Sequence, residues 1–204
     1  MVKRSRAGDH KAFRLLFETY YPEAYRTAYL IVRDSQLAED VVQEAFIKVF
    51  RRLETLKEPA KFSGWLHSIV SYCAVDMLNA RQNCVLMADD SAATSDGVLT
   101  AGIPSPETET ERAELRCLIA KALAGLEPIH RQVIVLRFFR EMNEQEIAQA
   151  IGCPVGTVKS RLHRALKAIE RKLYALRPST VRGEGYEANH HGGAGTRSAG
   201  QGSP

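Results

Sequence analysis

The sequence predicts an all-α protein with two small helical domains joined by a flexible acidic linker. Apolar residues recur at three- and four-residue spacings in two separate stretches of the 204-residue chain, a period typical of amphipathic helices. The strict alternation typical of β-strands is absent. Between the two stretches lies a segment rich in Ser, Thr, Gly, Pro and acidic residues, which has no apolar period. We therefore expect domains at residues 8–84 and 112–177, a linker at 85–111 and a disordered tail at 178–204.

Composition narrows the class of protein. Hydrophobic residues make up 45% and charged residues 25% of the chain, values typical of a globular protein in water. No apolar run approaches the ~20 residues that a membrane span needs, and the first residues lack the apolar core of a signal peptide. We therefore expect a cytoplasmic protein without membrane insertion.

Cysteines and histidines are too scattered to suggest a chemical site. The four cysteines are Cys73, Cys84, Cys117 and Cys153. They form no CxxC motif and no Cys/His pairing at metal spacing, so we expect reduced thiols. The chain also lacks a phosphate-binding loop and a nucleophile paired with a base. The sequence therefore predicts no enzyme activity, no metal and no cofactor.

Charge is divided unevenly along the chain. Residues 85–114 contain 1 Lys or Arg against 7 Asp and Glu, whereas residues 128–177 contain 10 against 4. A basic segment behind an acidic spacer favours a polyanionic partner for the second domain.

The first domain opens with an apolar periodicity that runs from Ala12 to Tyr25. Pro22 falls inside it, and because proline removes a helical hydrogen bond, we expect a kink or two separate helices there. A further periodic stretch, from Ala38 to Leu53, has a continuous apolar side. That side comprises Val41, Val42, Ala45, Phe46, Val49 and Leu53, with Phe50 at its edge.

The opposite side of this stretch is a polar stripe with an aliphatic residue at its centre. The stripe comprises Asp40, Gln43, Glu44, Ile47 and Arg51. Ile47 favours contact with a protein partner, because exposed aliphatic surface gains from being covered. The alternative is an ordinary solvated face, since single exposed apolar residues are common.

Residues 61–83 mix aromatic side chains with basic and polar ones. This pattern suits a surface that stacks unpaired bases and holds phosphates. The alternative for Trp65, Leu66 and Ile69 is burial in the core, which their helical spacing favours.

The second domain contains the pattern of two helices joined by a tight turn. Asn143 and Glu146 predict a capping box at the start of one helix, and Gly152 and Pro154 predict its end. A second helix starts near Val155. Its apolar side is Val155, Val158, Leu162, Ala165, Leu166, Ile169 and Leu173, and its polar side is Thr157, Ser160, Arg161, Arg164, Lys167 and Arg171, flanked by Lys159 and His163.

A short capped helix followed by a helix with donors near its start is typical of a DNA-reading helix-turn-helix. Arg, Lys and Ser on the polar side could reach base edges, with Lys167 and Arg171 on phosphates. The alternative is a solvated basic helix in an ordinary bundle, because helix-turn-helix patterns produce false positives.

The second domain resembles region 4 of bacterial RNA polymerase sigma factors of the extracytoplasmic-function class. The matching motifs are L-x-P-x-x-R-x-V at 126–133, E-I-A at 146–148 and G-T-V-K-S-R-L-x-R-A at 156–165. The resemblance implies that the second helix reads the minus-thirty-five promoter element, with Lys159, Ser160, His163 and Arg164 on bases and neighbouring phosphates. The full predicted set is Thr157, Lys159, Ser160, Arg161, His163, Arg164 and Lys167.

The first domain resembles region 2 of the same family. The segment at 39–46 is similar to the family's E-D-x-x-Q-E-x-F signature, which docks on the clamp coiled coil of the polymerase largest subunit. The resemblance implies that Asp40, Gln43 and Glu44, with Ile47 and Arg51 beside them, bind core polymerase.

The segment from Phe62 to Asp76 resembles the family's F-x-x-W-L-x-x-I-A-R-N-x-x-x-D pattern, which melts and reads the minus-ten element. The chain departs from it at Val70, Ser71 and Tyr72, where A-R-N is common, and it lacks the usual basic cluster after Asp76. Fewer cations weaken the salt-dependent phosphate contribution. The predicted minus-ten residues are Lys61, Trp65, Tyr72, Asp76, Arg81 and Asn83.

Together the two resemblances imply a sigma factor that binds core RNA polymerase, recognises double-stranded promoter DNA and helps to open it to single strands. An anti-sigma factor is a possible further partner. The alternative function is a stand-alone helix-turn-helix regulator that acts without polymerase. Failure to bind core polymerase would favour this alternative.

Overall fold

The computed structural model describes residues 1–87 and 118–176, with side chains from 1–82 and 118–175. Within these ranges the regular structure is helical and contains no strand, which confirms the predicted fold class. The predicted linker begins too early at residue 85, because α4 continues to Met87. The rest of the predicted linker and the C-terminal tail lie outside the described residues, as do the thiols of Cys84 and Cys117 and the side chain of Asn83.

The first domain is a bundle of four helices. They are α1 (Val2–Arg6), α2 (His10–Val32), α3 (Ser35–Arg52) and α4 (Phe62–Met87), with 3₁₀ turns at Leu53–Thr55 and Pro59–Lys61 before α4. Asp9 and Asp34 begin α2 and α3, because each carboxylate accepts a hydrogen bond from a backbone N–H of the first turn, at 3.0 Å in both cases. The core lies where α2, α3 and α4 meet.

The apolar side of α3 is buried as the sequence predicts. All six residues from Val41 to Leu53 on that side are at most 4% exposed. Of the two outcomes expected at Pro22, a division into two separate helices is wrong, because α2 runs unbroken through it. Tertiary packing offsets the stability lost with the hydrogen bond that Pro22 cannot donate. Residues on both sides of Pro22, such as Leu16 and Ala28, belong to the buried core.

In its described part, residues 118–176, the second domain contains four shorter helical segments and one long helix. These are α5 (118–124), α6 (Pro128–Ile134), a π-helical segment (Val135–Phe139), α7 (Glu144–Ile151) and α8 (Val155–Leu176). Their core is formed by Leu123, Leu126, Val133, Ile134, Leu136, Met142, Ile147, Ala148, Val158, Leu162 and Ala165.

The two domains contact each other directly. The α6 helix packs against α2 and α4, the π-helical segment packs against α2, and α7 packs against α4. Val135, on the second domain, is fully buried within the core of the first. Phe139 contacts both cores. The predicted sites therefore sit on two domains that share an apolar interface.

Candidate partner-binding and nucleic-acid interfaces

The helix-turn-helix forms as the sequence predicts. The Asn143 side-chain oxygen accepts hydrogen bonds from the backbone N–H groups of Gln145 and Glu146, at 3.0 and 2.9 Å, and Glu146 Oε2 accepts from the Asn143 N–H at 2.8 Å. The reciprocal bonds confirm the capping box. Gly152 ends α7 at φ 67°, a left-handed conformation that favours glycine. After this turn, α8 begins at Val155.

One side of α8 is polar along its first three turns. At ~100° per residue, Ser160, Arg164 and Lys167 lie opposite the buried Val158, Leu162 and Ala165. The predicted DNA-binding residues Lys159, Ser160, His163, Arg164 and Lys167 are exposed, and Thr157 and Arg161 are half-buried at the flank. The structure therefore brings all seven predicted minus-thirty-five residues onto one helix and its flanks.

Most cations of this face have no anionic partner among the residues that the structure describes. Lys159 Nζ lies 3.6 Å from Glu144 Oε2, at the start of α7. Within the described ranges, Arg161, Arg164 and Lys167 form no ion pair. Unpaired guanidinium and ammonium groups on one helix favour phosphate and base-edge acceptors.

One residue assigned to the apolar side of α8 is exposed, while Val155, Ile169 and Leu173 on that side are half-buried. Leu166 is 46% exposed, because at ~100° per residue it falls at the edge of the apolar side, beyond Leu162. The apolar side is thus narrower than the sequence predicts.

The stripe on α3 is exposed along its length. Ile47 is 46% exposed, and Asp40, Gln43 and Arg51 are also exposed. Glu44 is half-buried and pairs with Lys48 at 3.3 Å. The structure therefore places the five predicted polymerase-binding residues on one accessible helix face.

An aromatic ridge continues this stripe. Phe50, one turn after Ile47, is 52% exposed. Its ring packs edge-on against Phe13 at 5.0 Å and stacks on His10 at 6.2 Å, both from α2. The sequence placed Phe50 at the edge of the apolar side, but the α2 contacts had no sequence signal because they join residues about 40 positions apart.

The predicted minus-ten residues divide between two sides of α4. Trp65, Tyr72 and Asp76 are spaced at i, i+7 and i+11, which places them on one side of a helix. Arg81 falls on the opposite side and its Nη1 lies 2.9 Å from Asp34 Oδ2. Lys61, in the turn before α4, pairs with Glu58 at 2.9 Å.

Aromatic residues of this surface differ in exposure. Tyr72 is 56% exposed, and Lys48 Nζ lies 5.7 Å from its ring centroid. Trp65 is half-buried and packs against the core beside Phe62. Tyr72 is therefore free to stack on a base, whereas Trp65 presents only part of its ring.

Cys73 lies directly behind this surface. Its thiol is 1% exposed, and Lys48 Nζ lies 3.4 Å from Sγ. Burial raises the pKa of the Cys73 thiol, against the opposing effect of Lys48. Cys73 is thus a buried free thiol.

A group of polar residues at the contact between the domains escaped prediction. Arg131, Gln132 and His67 are buried, and Arg140 is half-buried beside them. Burial and then the nearby Arg140 lower the pKa of His67 to about 4, although Glu23 opposes the shift. The partners lie in different domains, so no local pattern marks them.

Neither a metal site nor a membrane segment is found in the part of the chain that the structure describes. No three His, Cys, Asp or Glu side chains there are grouped to hold a metal ion. No described helix is long and apolar enough to cross a membrane.

Two family models match the chain. Sigma-70 region 2 matches residues 16–84, and Sigma-70, region 4 matches residues 122–171. The ECF RNA polymerase sigma-E factor of Escherichia coli K12 is 35% identical over 182 residues, covering 86% of this chain and 94% of that protein. The RNA polymerase sigma-H factor of Pseudomonas aeruginosa is 33% identical over 180 residues, covering 86% and 93%.

The fold is also that of a solved sigma factor. The sigma factor RpoE from Bartonella quintana, in its co-crystal structure with the anti-sigma factor NepR, matches with a TM-score of 0.64. The match covers 82% of this chain and 99% of that one, at 23% sequence identity. This likeness concerns the fold.

Proposed function

This chain belongs to the extracytoplasmic-function (ECF) class of bacterial RNA polymerase sigma factors, and we propose that it acts through three surfaces, one on each of α3, α4 and α8. As a sigma factor it directs core RNA polymerase to promoters. The observation that carries the assignment of surfaces is the difference in their character. The α3 stripe is acidic and apolar, whereas the α8 face is basic and polar.

The α3 stripe fits a protein partner. Asp40, Gln43 and Glu44 present acceptors beside the exposed side chain of Ile47, and a mixed polar and aliphatic surface of this kind gains from burial against another protein. We assign Asp40, Gln43, Glu44, Ile47 and Arg51 to the dock for core polymerase.

The α8 face fits the major groove of the minus-thirty-five element. A helix entering that groove from a helix-turn-helix places its first turns against base edges. Arg164 and Ser160 lie at the centre of the polar side, where a guanidinium can pair with guanine O6 and N7. Thr157, Lys159, Arg161, His163 and Lys167 surround them and supply phosphate contacts and further base contacts.

The α4 surface fits the unpaired strand of the minus-ten element. Tyr72 offers an exposed ring for base stacking, Trp65 and Asp76 lie along the same side of α4, and Lys61 lies in the turn before it. Arg81 and Asn83 complete the proposed set. Arg81 contributes only if it leaves Asp34.

No catalytic side chain is needed for this activity. Binding energy from the two domains tethers polymerase to two DNA elements, and a linker between the domains raises the effective concentration of the second contact. We place the protein in the cytoplasm, where core polymerase and promoter DNA are found. No cofactor enters this mechanism.

An anti-sigma factor is a further proposed partner. A protein that covers the α3 stripe would compete with polymerase for Asp40, Gln43 and Glu44. The structural neighbour was solved with such a factor. Competition between polymerase and a candidate partner for the immobilised chain would test this.

Co-purification with core RNA polymerase tests the proposed function. We expect the unaltered chain to co-elute with polymerase and Asp40→Ala/Gln43→Ala/Glu44→Ala to lose most of this binding. Arg14→Ala/Glu18→Ala serves as the control, because it removes an exposed ion pair from α2.

The outcomes separate the two candidate functions. Loss in the triple variant alone supports the proposed dock. If the unaltered chain fails to bind polymerase but binds duplex DNA, the stand-alone regulator is the better description.

A further inference from the structure

We propose that a basic cleft on the first domain is a further DNA-binding site, which holds backbone phosphates of the promoter strand beyond the start of α4. The cleft is lined by six described residues: Lys3, Arg6, Ala7, Glu54, Lys57 and Pro59. It adds phosphate contacts to the strand assigned to the α4 surface, an assignment that rests on the proposed function.

Helix α1 contributes two cations to the cleft. Lys3, Arg6 and Ala7 are spaced at i, i+3 and i+4, which places them on one side of a helix. Ser5, on the opposite side, is 9% exposed, and Val2 packs against the first core. Because these two residues hold α1 against the domain, Lys3 and Arg6 are kept on its accessible side.

The third cation comes from the turn between α3 and α4. Lys57 follows the 3₁₀ turn at Leu53–Thr55. Leu53 and Leu56 are 2% and 7% exposed, so this turn is anchored in the core. Glu54 and Lys57 are exposed and line the cleft. Two segments that are distant in the sequence thus bring three cations to one place.

The cations of the cleft have no carboxylate partner in the part of the chain that the structure describes. Lys3, Arg6 and Lys57 form no ion pair there. Three cations and the single carboxylate of Glu54 among the lining residues leave a net charge of +2. Like charges that are gathered in this way repel one another, and a bound anion would relieve the repulsion.

The neighbouring carboxylates are already occupied. Asp9 Oδ2 lies 2.8 Å from Arg4 Nη2, and Glu58 Oε1 lies 2.9 Å from Lys61 Nζ. Neither of these acids is therefore free to neutralise the cleft.

The dipole of α1 does not account for the whole cluster. Cations near the C-terminus of a helix stabilise its dipole, which would explain Lys3 and Arg6 alone. Lys57 lies outside α1, so it gains nothing from that dipole. An anion shared by the two segments accounts for all three cations.

The lining favours phosphate over an apolar ligand. The cleft is open and has a volume of about 560 Å³. Sites for small organic molecules are lined mainly by hydrophobic and aromatic side chains, whereas Ala7 and Pro59 are the uncharged residues here. Guanidinium and ammonium groups bind phosphate oxygens through charge-assisted hydrogen bonds.

The cleft lies at one end of the α4 surface. Pro59, which lines it, and Lys61, from the proposed minus-ten set, belong to the same 3₁₀ turn directly before α4. Trp65 follows in the first turn of α4. A strand bound along α4 therefore reaches the cleft beyond Lys61.

The other end of α4 has little charge to offer a phosphate backbone. From Met77 to Asn83 the sequence contains a single cation, Arg81. Arg81 is held by Asp34 at 2.9 Å. The cleft supplies free cations at the opposite end of the helix, where they can displace counterions from the strand.

Salt-dependent binding of promoter DNA by the complex with core polymerase tests the cleft. Lys3→Ala/Arg6→Ala/Lys57→Ala should lower the slope of log affinity against log salt by about two to three, because each phosphate contact contributes about 0.7–0.9. At about 50 mM salt the variant should bind at least about tenfold more weakly. The loss should be equal on a promoter with an altered minus-ten sequence, because phosphate contacts carry no sequence information.

Two controls separate the cleft from net charge and from misfolding. Arg14→Ala/Arg26→Ala/Lys121→Ala removes as many exposed cations from outside the cleft, and should keep nearly the unaltered slope. Glu54→Gln removes the carboxylate of the cleft and should raise affinity a few-fold, a gain that misfolding cannot produce. Equal losses in the two triple variants, or a loss in Glu54→Gln, would overturn the site.

Measurements on the free chain distinguish failure of the cleft from failure of the proposed function. If the unaltered chain does not co-elute with core polymerase, the proposed function fails. The cleft is then judged by binding of the free chain to a single-stranded oligonucleotide at low salt, where the same order of affinities is expected. Equal affinity in all variants would overturn it.

Titration of the free chain with inorganic tripolyphosphate tests the other source of phosphate. We expect only weak, millimolar binding. Micromolar binding that the cleft variant loses, together with unchanged DNA affinity in that variant, would overturn the assignment to the DNA backbone and favour a free polyphosphate.

Discussion

The two proposed DNA-binding surfaces differ in whether their cations are free. On α8, Arg161, Arg164 and Lys167 have no ion pair among the described residues, whereas on the first domain Lys61 and Arg81 each hold a carboxylate at 2.9 Å. Free cations bind phosphate directly, while paired ones must first lose a partner. We therefore expect α8 to bind duplex DNA without losing an ion partner, whereas Lys61 and Arg81 must first exchange a carboxylate for phosphate.

The largest effect should come from removing the free cations of α8. Arg161→Ala/Arg164→Ala should weaken binding of a promoter duplex about 30-fold or more, since each contact to a base or phosphate contributes about 1–3 kcal/mol. Fluorescence anisotropy with the polymerase-bound chain measures this. The duplex can be enriched from a random library by the unaltered complex.

A charge-matched control sharpens this test. Arg4→Ala/Arg14→Ala removes two exposed arginines that already pair with Asp9 and Glu18 in the first domain. It should change affinity only slightly. Equal losses in both double variants would show that net charge, and not the α8 face, governs binding.

The sequence predicts the basic face of α8 but not the ion pairs that hold the cations of the first domain. The α8 face follows from a 3.6-residue period and a local capping box, so spacing alone gave its residues. The pairing of Arg81 with Asp34 joins positions 47 apart, and the contact of Arg131 with Ile31 joins positions 100 apart. Such partners depend on how helices cross, and periodicity within one helix carries no information about that.

The continuous helix α2 also shows that local sequence does not determine tertiary packing. Proline chemistry predicts a kink or two separate helices at Pro22, and the second outcome does not occur, because tertiary packing on both sides keeps the helix continuous. Whether the chain divides into two helices at this proline therefore depends on the packing of the bundle, which the local sequence does not contain.

The buried sides of α4 and α8 should also differ in how acid affects their contribution to stability. On α4, His67 is 2% exposed and faces Glu23 and Thr27 from α2 and Arg140 from the second domain. Its pKa is about 4 in the folded chain against ~6.5 unfolded, so the unfolded chain binds more protons between these values. The buried side of α8 has no titratable residue among Val158, Leu162 and Ala165.

Acidification should therefore destabilise the protein through His67. The free energy of unfolding should fall by about 2 kcal/mol from pH 7 to pH 5 through this residue, because stability rises with pH wherever the unfolded state binds more protons. Urea denaturation at both pH values measures the change. His67→Asn, which keeps a donor toward Thr27, should remove that part of the pH dependence, and an unchanged dependence would contradict the assignment to His67.

The smallest effect should come from releasing a paired cation on the first domain. Asp34→Asn keeps the cap on α3, since asparagine caps as well as aspartate, but it removes the negative charge that holds Arg81. Affinity for a single-stranded oligonucleotide should rise a few-fold, because an exposed ion pair is worth about 0–1 kcal/mol. Binding titrations at several salt concentrations should also show a steeper salt dependence, by up to about one counterion.

The double variant Asp34→Asn/Arg81→Gln should lose this gain in affinity, which would assign the gain to the freed guanidinium of Arg81. If Asp34→Asn binds no better than the unaltered chain, then pairing does not limit the α4 surface, and the difference between the two surfaces must come from the number of cations alone.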